Sequence, residues 1–208
     1  MRSDNPAVQF DRTKFKELIL FICGSCEPSR LGAVKLHKIL YLADMLRFAF
    51  EGRAITGSVY VKREFGPTSR HLLSALKELR RENAIRVGSS IYFRFRKATY
   101  LPQREPDMSI FTGEEIALVR DVIDFVANHN TAKTISEFSH NRAWEMAEFG
   151  AEIPYHTAFA LFPSEISDEA IEWAASVSGE VEAERSQRPA VDYESLADFR
   201  SRMQSDRG

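Results

Sequence analysis

The sequence has little of what would place a protein outside the cytosol or in a membrane. Only two of its 208 residues are cysteine, too few for the disulfide framework of a small secreted domain. Charged residues interrupt the first twenty positions, and no apolar run approaches the roughly 18 residues that a membrane span needs. Even the longest apolar segment, 31–50, contains lysine, arginine and aspartate. We therefore expect a soluble, cytoplasmic protein with no membrane partner.

Motifs of the common enzyme and cofactor classes are also missing. The sequence contains no glycine-rich phosphate loop, no G-x-S-x-G and no H-E-x-x-H. Adjacent acidic residues such as Glu114 and Glu115 diverge on a helix, and they fit the favourable negative charge of a first helical turn. We expect no enzyme activity, no catalytic residue and no cofactor.

The two cysteines form the sequence CGSC, Cys23 to Cys26. A redox pair lies at a helix N-terminus, which stabilises the thiolate, whereas this pair closes the amphipathic segment 11–25. A zinc site would need two more ligands, and neither a second C-x-x-C nor a closely spaced histidine pair follows. We interpret the pair as structural and expect no metal site.

Apolar residues, in contrast, are plentiful. They make up 44% of the chain and include fifteen phenylalanines, enough for one sizeable core. The small net charge of −2 hides an uneven distribution. Residues 60–104 carry eleven Lys/Arg against three Asp/Glu, and residues 105–208 carry eight against twenty-one. This asymmetry indicates a basic face beside an acidic one, unless the two segments simply complement each other in the folded chain.

Helical periodicity dominates the beginning of the chain. Asp11 can cap a helix that extends to about Cys23. Ser29 can cap a second helix over 30–51, and Gly52 can end it. The second helix is apolar around most of its circumference, which is typical of a central core helix.

A basic helix and a β-hairpin are predicted next. After a short strand within 55–64, the Gly66-Pro67 pair is predicted to start a third helix, with proline at its first position. The sequences AIRV, GSS and IYFRFR then predict a hairpin that turns at GSS and has one apolar and one basic face. A basic helix followed by a basic hairpin is the layout of a winged helix. The residues of this predicted basic face are Arg70, Lys77, Arg81, Arg94 and Arg96.

The second half of the chain is acidic and again helical. Thr112 and Glu115 form a capping-box pattern for a helix to about Asn128, and one or two short helices are predicted in TAKTISEFSHNRAW. The expected fold is mainly α (α+β), a compact multi-helix domain with one small antiparallel hairpin. We expect this domain to occupy 1–178, followed by a charged tail, 179–208, that could contain a short amphipathic helix.

Several short motifs occur together in one order. KLHKILYLADMLRFAFEGRAITGSVYVKREFGPTSRHL, residues 35–72, and later ISEFSHNRAW and GAEIPY resemble the Panacea domain, the SocA-like antitoxin family. That family has a K-L-x-K-L-x-Y helix, a small-residue turn, an H-G-P element, a P-W pair and a glycine-I-P-Y ending. The matching positions are Lys35, Leu36, Lys38, Tyr41, Gly52, Gly66, Pro67, Trp144, Ile153, Pro154 and Tyr155. Two positions depart from the family, since Phe65 replaces the usual histidine and Ala143 the proline before the tryptophan.

The resemblance, which spans roughly residues 12–160, implies a cytoplasmic bacterial or phage antitoxin. Such a protein neutralises a toxin encoded beside it, by direct binding or by delivery to an energy-dependent protease. The family is paired with many unrelated toxins, so the toxin is not identified. The alternative hypothesis is a winged-helix transcriptional regulator that binds DNA through the basic face, and a protein could do both.

Overall fold

The computed structural model describes residues 8–92, 95–140 and 142–161. All of them lie within the first of two compact units, Met1–Pro163. The predicted tail, 179–208, and the segment before it lie outside the described residues. The predicted domain boundary at 178 therefore stays a prediction.

Two helices form the centre of the core. α1, Arg12–Ser25, begins where the Asp11 carboxylate accepts a hydrogen bond from the Lys14 N–H at 2.9 Å, which confirms the predicted cap. α2, Ala33–Glu51, ends at Gly52 in the left-handed conformation, with a φ of 70°, also as predicted. α2 is buried around most of its circumference, and this confirms it as the central helix.

The start of α2 differs from the prediction. Ser29 does not cap the helix, because its hydroxyl lies 3.3 Å from the Glu27 carboxylate instead. The chain first makes a turn, in which the N–H groups of Arg30 and Leu31 donate to the Glu27 carbonyl oxygen. The helix therefore begins only at Ala33, without a side-chain cap.

A short sheet follows α2. β1, Tyr60–Val61, pairs antiparallel with β2, Thr68–Ser69. The prediction that Gly66-Pro67 starts a helix is wrong, because pairing with β1 keeps the backbone extended after Pro67. α3, Leu72–Arg81, begins after β2 and buries its apolar side, as the helical period predicts.

The predicted hairpin is present but longer than expected. β3, Ile85–Tyr92, pairs antiparallel with β4, Phe95–Pro102. The predicted turn, Gly88–Ser90, instead pairs with Lys97–Thr99 inside the sheet. The base of the hairpin packs on α1 and α3, while Ile91 near the tip is 82% exposed. The prediction of an apolar, core-facing side is therefore wrong at Ile91, which the core does not cover.

The remaining elements are helical. α4, Gly113–Ile123, begins with the predicted capping box, in which the Glu115 N–H donates to Thr112 Oγ1 at 3.2 Å and the Glu115 carboxylate accepts from the Thr112 N–H at 2.9 Å. The elements that accompany it are a 3₁₀ turn, Met108–Ile110, a π-helical turn, Asp124–Asn128, the helices α5, Ala132–Ser139, and α6, Arg142–Met146, and a 3₁₀ helix, Tyr155–Ala160. The fold is mainly α with small antiparallel sheets, as predicted.

Candidate functional site: a buried polar network and an aromatic surface

α2 is enclosed by other elements, so four of its five charged side chains are buried. The exposed fractions of Lys35, Lys38 and Asp44 are 8%, 1% and 0%. Burying a charged group costs free energy unless the group finds hydrogen-bonding partners. The partners of these three residues connect α2 to the elements packed around it.

Lys38 connects α2 to the turn between β1 and β2. Its Nζ donates to the Pro67 carbonyl oxygen at 3.1 Å. Gly66 has a φ of 91°, and a Cβ at this position would lie 2.5 Å from both Lys38 Nζ and Ser139 Oγ of α5. Glycine is therefore required here for the backbone conformation and for space. The family positions Lys38, Gly66 and Pro67 form one contact.

Lys38 should make the stability of the protein depend on pH. Burial lowers the pKa of Lys38 to about 7, whereas a lysine in the unfolded chain has a pKa of about 10.4. Above pH 7 the unfolded chain consequently binds more protons than the folded one. The free energy of unfolding should rise by about 1.5 kcal/mol between about pH 7 and about pH 8.5. Denaturant unfolding at the two pH values measures this change.

The control for this experiment is Lys38→Met, which keeps the chain length and removes the titrating amine. Burial also lowers the pKa values of Lys35 and Lys97, so the difference between wild type and variant isolates Lys38. An equal pH dependence in both proteins would show that Lys38 is not the responsible group.

Asp44 connects α2 to β1 and to the 3₁₀ helix after Pro154. Its Oδ1 accepts the Thr56 N–H at 2.7 Å. Its Oδ2 lies 2.6 Å from Thr56 Oγ1, 2.8 Å from the Tyr60 hydroxyl and 3.1 Å from the Tyr155 hydroxyl. Burial raises the pKa of Asp44, and the hydrogen bonds from Thr56 and the two tyrosines oppose this rise. One carboxyl group thus joins three parts of the chain.

Other family positions also serve the packing around α2. The Tyr41 ring meets the Tyr60 ring edge-on, with centroids 5.3 Å apart. The Ile153 N–H donates to the Tyr60 carbonyl oxygen at 2.9 Å. Lys35 Nζ donates to the Ala127 carbonyl oxygen at 2.9 Å. These family positions therefore contribute to the packing of the fold.

Trp144 is half-buried and attaches α6 to the β1–β2 turn. Its indole Nε1 donates to the Arg63 carbonyl oxygen at 3.2 Å. The indole ring stacks on the His140 ring, with centroids 3.9 Å apart, and Lys62 Nζ lies 4.0 Å from the indole centroid. These contacts fix α6 and the loop after it.

Large apolar side chains are exposed on the outside of this region. Phe65, Met146 and Phe149 are exposed by 61%, 73% and 68%. The Arg63 guanidinium carbon lies 5.9 Å from the centroid of the Phe149 ring. We call Arg63, Phe65, Met146 and Phe149 the aromatic surface.

The β1–β2 turn carries Arg63 and Phe65, and the loop after α6 carries Phe149. Backbone hydrogen bonds join these two loops. The Gly150 N–H donates to the Lys62 carbonyl oxygen, and the Lys62 N–H donates to the Ala151 carbonyl oxygen, both at 3.0 Å. Ser136 Oγ of α5 donates to the Phe65 carbonyl oxygen at 3.1 Å. The surface is therefore ordered before any partner binds, which lowers the entropic cost of binding.

Of the five residues of the predicted basic face, two are exposed on α3, one is paired with a carboxylate, and two have side chains outside the described residues. Arg70 precedes α3, and its guanidinium lies 2.5 Å from the Glu152 carboxylate, which neutralises its charge. Lys77 and Arg81 are exposed on α3. Arg94 and the side chain of Arg96 lie outside the described residues.

Sequence reasoning missed Asp44 and Phe149. The available signal for Asp44 was a carboxylate among apolar neighbours in a helix predicted to lie at the centre of the core, because such a group must be satisfied by partners. Nothing in the local sequence distinguishes Phe149 from a core phenylalanine, since its exposure depends on how the loop after α6 meets the β1–β2 turn.

Cys23 and Cys26 are buried free thiols. Burial raises the pKa of Cys26 to about 11, and this keeps the reactive thiolate scarce. Within the described ranges, no group of three or more His, Cys, Asp and Glu side chains is placed to hold a metal ion. No helix in this part of the chain is both long and apolar enough to cross a membrane.

Comparison with known proteins assigns the family. The family described as "Antitoxin SocA-like, Panacea domain" matches residues 36–145, from α2 into α6 and more than half of the chain. The protein belongs to this family, and its membership supports an antitoxin role. No curated protein and no solved structure matches the chain.

Proposed function

We propose that the protein neutralises a toxin encoded beside it by binding that toxin directly through the aromatic surface. The observation that carries this proposal is that Phe65, Met146 and Phe149 are exposed on the β1–β2 turn, the end of α6 and the loop after it, and that backbone hydrogen bonds join the turn to this loop. Exposed apolar side chains grouped in this way mark protein interaction sites. Aromatic and arginine side chains, both present here, are also the commonest energetic centres of protein interfaces.

The position of Phe65 supports this proposal. The neighbouring family positions Gly66 and Pro67 are buried, whereas Phe65, which replaces the family's usual histidine, is 61% exposed. A family that is paired with many unrelated toxins requires a common interior and a variable contact surface. Phe65 is a departure from the family pattern on the surface of the protein.

The charge around the aromatic surface indicates the kind of partner. Glu145 and Glu148 are exposed on the segment that carries Met146 and Phe149. An apolar centre with a rim of carboxylates complements a toxin surface that has apolar and basic residues. Complementary charge of this kind would speed association and favour the correct partner.

The double variant Phe65→Ala/Phe149→Ala should lose neutralisation. Removing two central aromatic side chains of an interface should weaken toxin binding by about 100-fold or more, because each such anchor contributes about 2 kcal/mol. Growth of cells that co-express the protein encoded by the adjacent gene measures rescue. Titration calorimetry with the same purified pair measures the affinity.

The matched control is Phe50→Ala, because Phe50 is 77% exposed at the carboxyl end of α2. Both variants should unfold at the wild-type temperature, and Phe50→Ala should bind the toxin like wild type. Full rescue by the double variant would exclude the aromatic surface as the toxin site. Failure of wild type to bind or rescue would instead contradict the antitoxin proposal itself.

Delivery to a protease is the second mechanism that the family suggests. In that case the complex still forms, but rescue disappears in cells that lack the energy-dependent protease. Direct neutralisation predicts rescue in both kinds of cell and an unchanged half-life of the toxin. Pulse-chase labelling of the toxin distinguishes the two mechanisms.

A further inference from the structure

Four cationic side chains share one exposed surface of α3 and β3. Lys77, Arg80 and Arg81 line a hollow of about 300 Å³ on α3. Arg80 also lines a second hollow of about 300 Å³, where it meets Arg86 of β3. All four side chains are exposed. We call these four residues the basic groove.

The carboxylates of α3 do not neutralise the basic groove. Glu78 forms a salt bridge with Arg12 of α1. The Glu82 carboxylate lies 2.5 Å from Lys16 Nζ, which also belongs to α1. Both carboxylates thus form salt bridges with α1. None of the four cations forms a salt bridge with a carboxylate among the described residues. The Glu78 carboxylate still interacts electrostatically with Arg81, but the basic groove keeps an excess of positive charge.

The junction between α3 and β3 fixes the spacing of these cations. Asn83 adopts the left-handed conformation, with a φ of 56°, and its N–H donates to the Arg80 carbonyl oxygen at 3.1 Å. The following N–H, of Ala84, donates to the Leu79 carbonyl oxygen at 2.8 Å. Ala84 and Ile85 are buried directly after this turn, so the helix and the hairpin hold a set angle.

We propose that the basic groove binds the phosphate backbone of duplex DNA. Lysine and arginine side chains without carboxylate partners, held on a rigid helix–hairpin junction, provide the phosphate contacts that position a protein on a duplex. This is a second activity, on elements other than those of the aromatic surface, and it does not depend on the proposed toxin binding.

The composition of the basic groove favours duplex DNA over other occupants. A site for single strands presents aromatic rings on which bases stack, and the side chains that line the two hollows include none. The core of a protein interface is apolar and depleted in charged residues, whereas four of the side chains that line these hollows are cations. The groove also revises the basic face predicted from sequence, because Arg70 is paired elsewhere and Arg80 and Arg86 take part instead.

The experiment is a binding titration of the full chain with a fluorescein-labelled duplex of about 20 base pairs. Affinity is measured by anisotropy between about 50 mM and about 200 mM salt. The wild type should bind in the micromolar range, with an affinity that falls steeply as salt increases. In the Lys77→Ala/Arg80→Ala/Arg81→Ala variant, the log–log salt slope should be smaller by about 2.7, because each phosphate contact contributes about 0.9.

The matched control is Arg53→Ala/Arg120→Ala/Lys133→Ala, which removes three exposed cations from other elements and changes the net charge equally. It should keep the wild-type slope. The single variant Arg80→Glu should lose binding and serves as the test if the triple variant does not fold. Circular dichroism of each variant reports its folding.

Three results would overturn the proposal. The first is the absence of salt-dependent DNA binding by the wild type, and the second is an equal loss in the charge-matched control. The third is loss of toxin binding by the triple variant with its DNA binding intact, which would make the basic groove a protein interface. Tighter binding to duplex RNA than to duplex DNA would overturn the assignment to DNA.

Discussion

Replacing Asp44 by alanine is expected to lower the free energy of unfolding by about 4 kcal/mol. Losses of this size are typical when a buried polar group with several hydrogen-bonding partners is removed. The carboxyl group is completely buried. Its removal leaves the Thr56 N–H without its acceptor at 2.7 Å and leaves a cavity beside the hydroxyls of Tyr60 and Tyr155. Urea-induced unfolding, followed by circular dichroism, measures the loss.

The matched control is Asp44→Asn. The amide keeps the shape of the side chain and one oxygen for the Thr56 N–H, and its NH₂ group can donate to a hydroxyl nearby. Tyr60 and Tyr155 can then donate to the carbonyl oxygens of Leu40 and Ser58, which lie 2.7 and 2.9 Å away. We expect this variant to lose about 1 kcal/mol, typical of a rearranged hydrogen bond. An alanine variant as stable as wild type would contradict the role assigned to Asp44.

Gly66→Ala should be nearly as damaging, at about 3 kcal/mol. A residue with a Cβ at a φ of 91° adds about 1–2 kcal/mol of backbone strain. The new methyl group would also displace Lys38 Nζ and Ser139 Oγ. Both atoms are buried, and to move they must give up hydrogen bonds to the carbonyl oxygens of Pro67 and Ser136. Thermal and chemical unfolding of the purified variant provide the measurement.

Gly52→Ala is the control for this variant. Gly52 also has a positive φ, of 70°, but no atom lies within 4 Å of the position that its Cβ would occupy. Only the backbone cost of about 1–2 kcal/mol then applies. The excess loss in Gly66→Ala measures the crowding around Lys38, and equal losses in the two variants would show that this crowding has no energetic consequence. Because Phe65 precedes Gly66, toxin rescue should fail in Gly66→Ala and persist in Gly52→Ala.

Apart from the cap predicted at Ser29, local capping and stop signals predicted the helix ends well. Asp11, Thr112 and Gly52 act on backbone groups within four residues of themselves, so a cap or a stop can be predicted without knowing the rest of the fold. The buried side of α3 was equally predictable, because a period of 3.6 residues depends on the helix alone.

Signals that depend on distant partners gave wrong predictions. Pro67 is well suited to the first turn of a helix, but the pairing of β2 with β1 and the contact with Lys38 keep it extended. The turn predicted at Gly88–Ser90 is displaced because the strands continue to pair beyond it. Pairing between strands competes with local turn preference. The sequence near a predicted turn therefore does not determine where the chain turns.

The sequence predicted some residues of the candidate site, but not how they are arranged in space. The family resemblance selected Lys38, Gly66 and Trp144, but their contacts depend on how α2, α5 and α6 meet the β1–β2 turn. For the same reason the aromatic surface was missed, and only Lys77 and Arg81 of the basic groove were predicted. The exposure of Phe149, and the pairing of Glu78 and Glu82 with α1 rather than with Arg80, depend on how separate elements pack, and no single segment determines them.

The side chains that hold this domain together act mostly on main-chain atoms. Lys35, Lys38 and Trp144 all donate to carbonyl oxygens, those of Ala127, Pro67 and Arg63. A carbonyl oxygen is present whatever side chain its residue carries. The turn around Phe65 can therefore change its outward side chains without loosening these attachments. If the aromatic surface binds the toxin as we propose, substitutions in this turn would change which toxin is bound and leave the folding of the domain nearly unaffected.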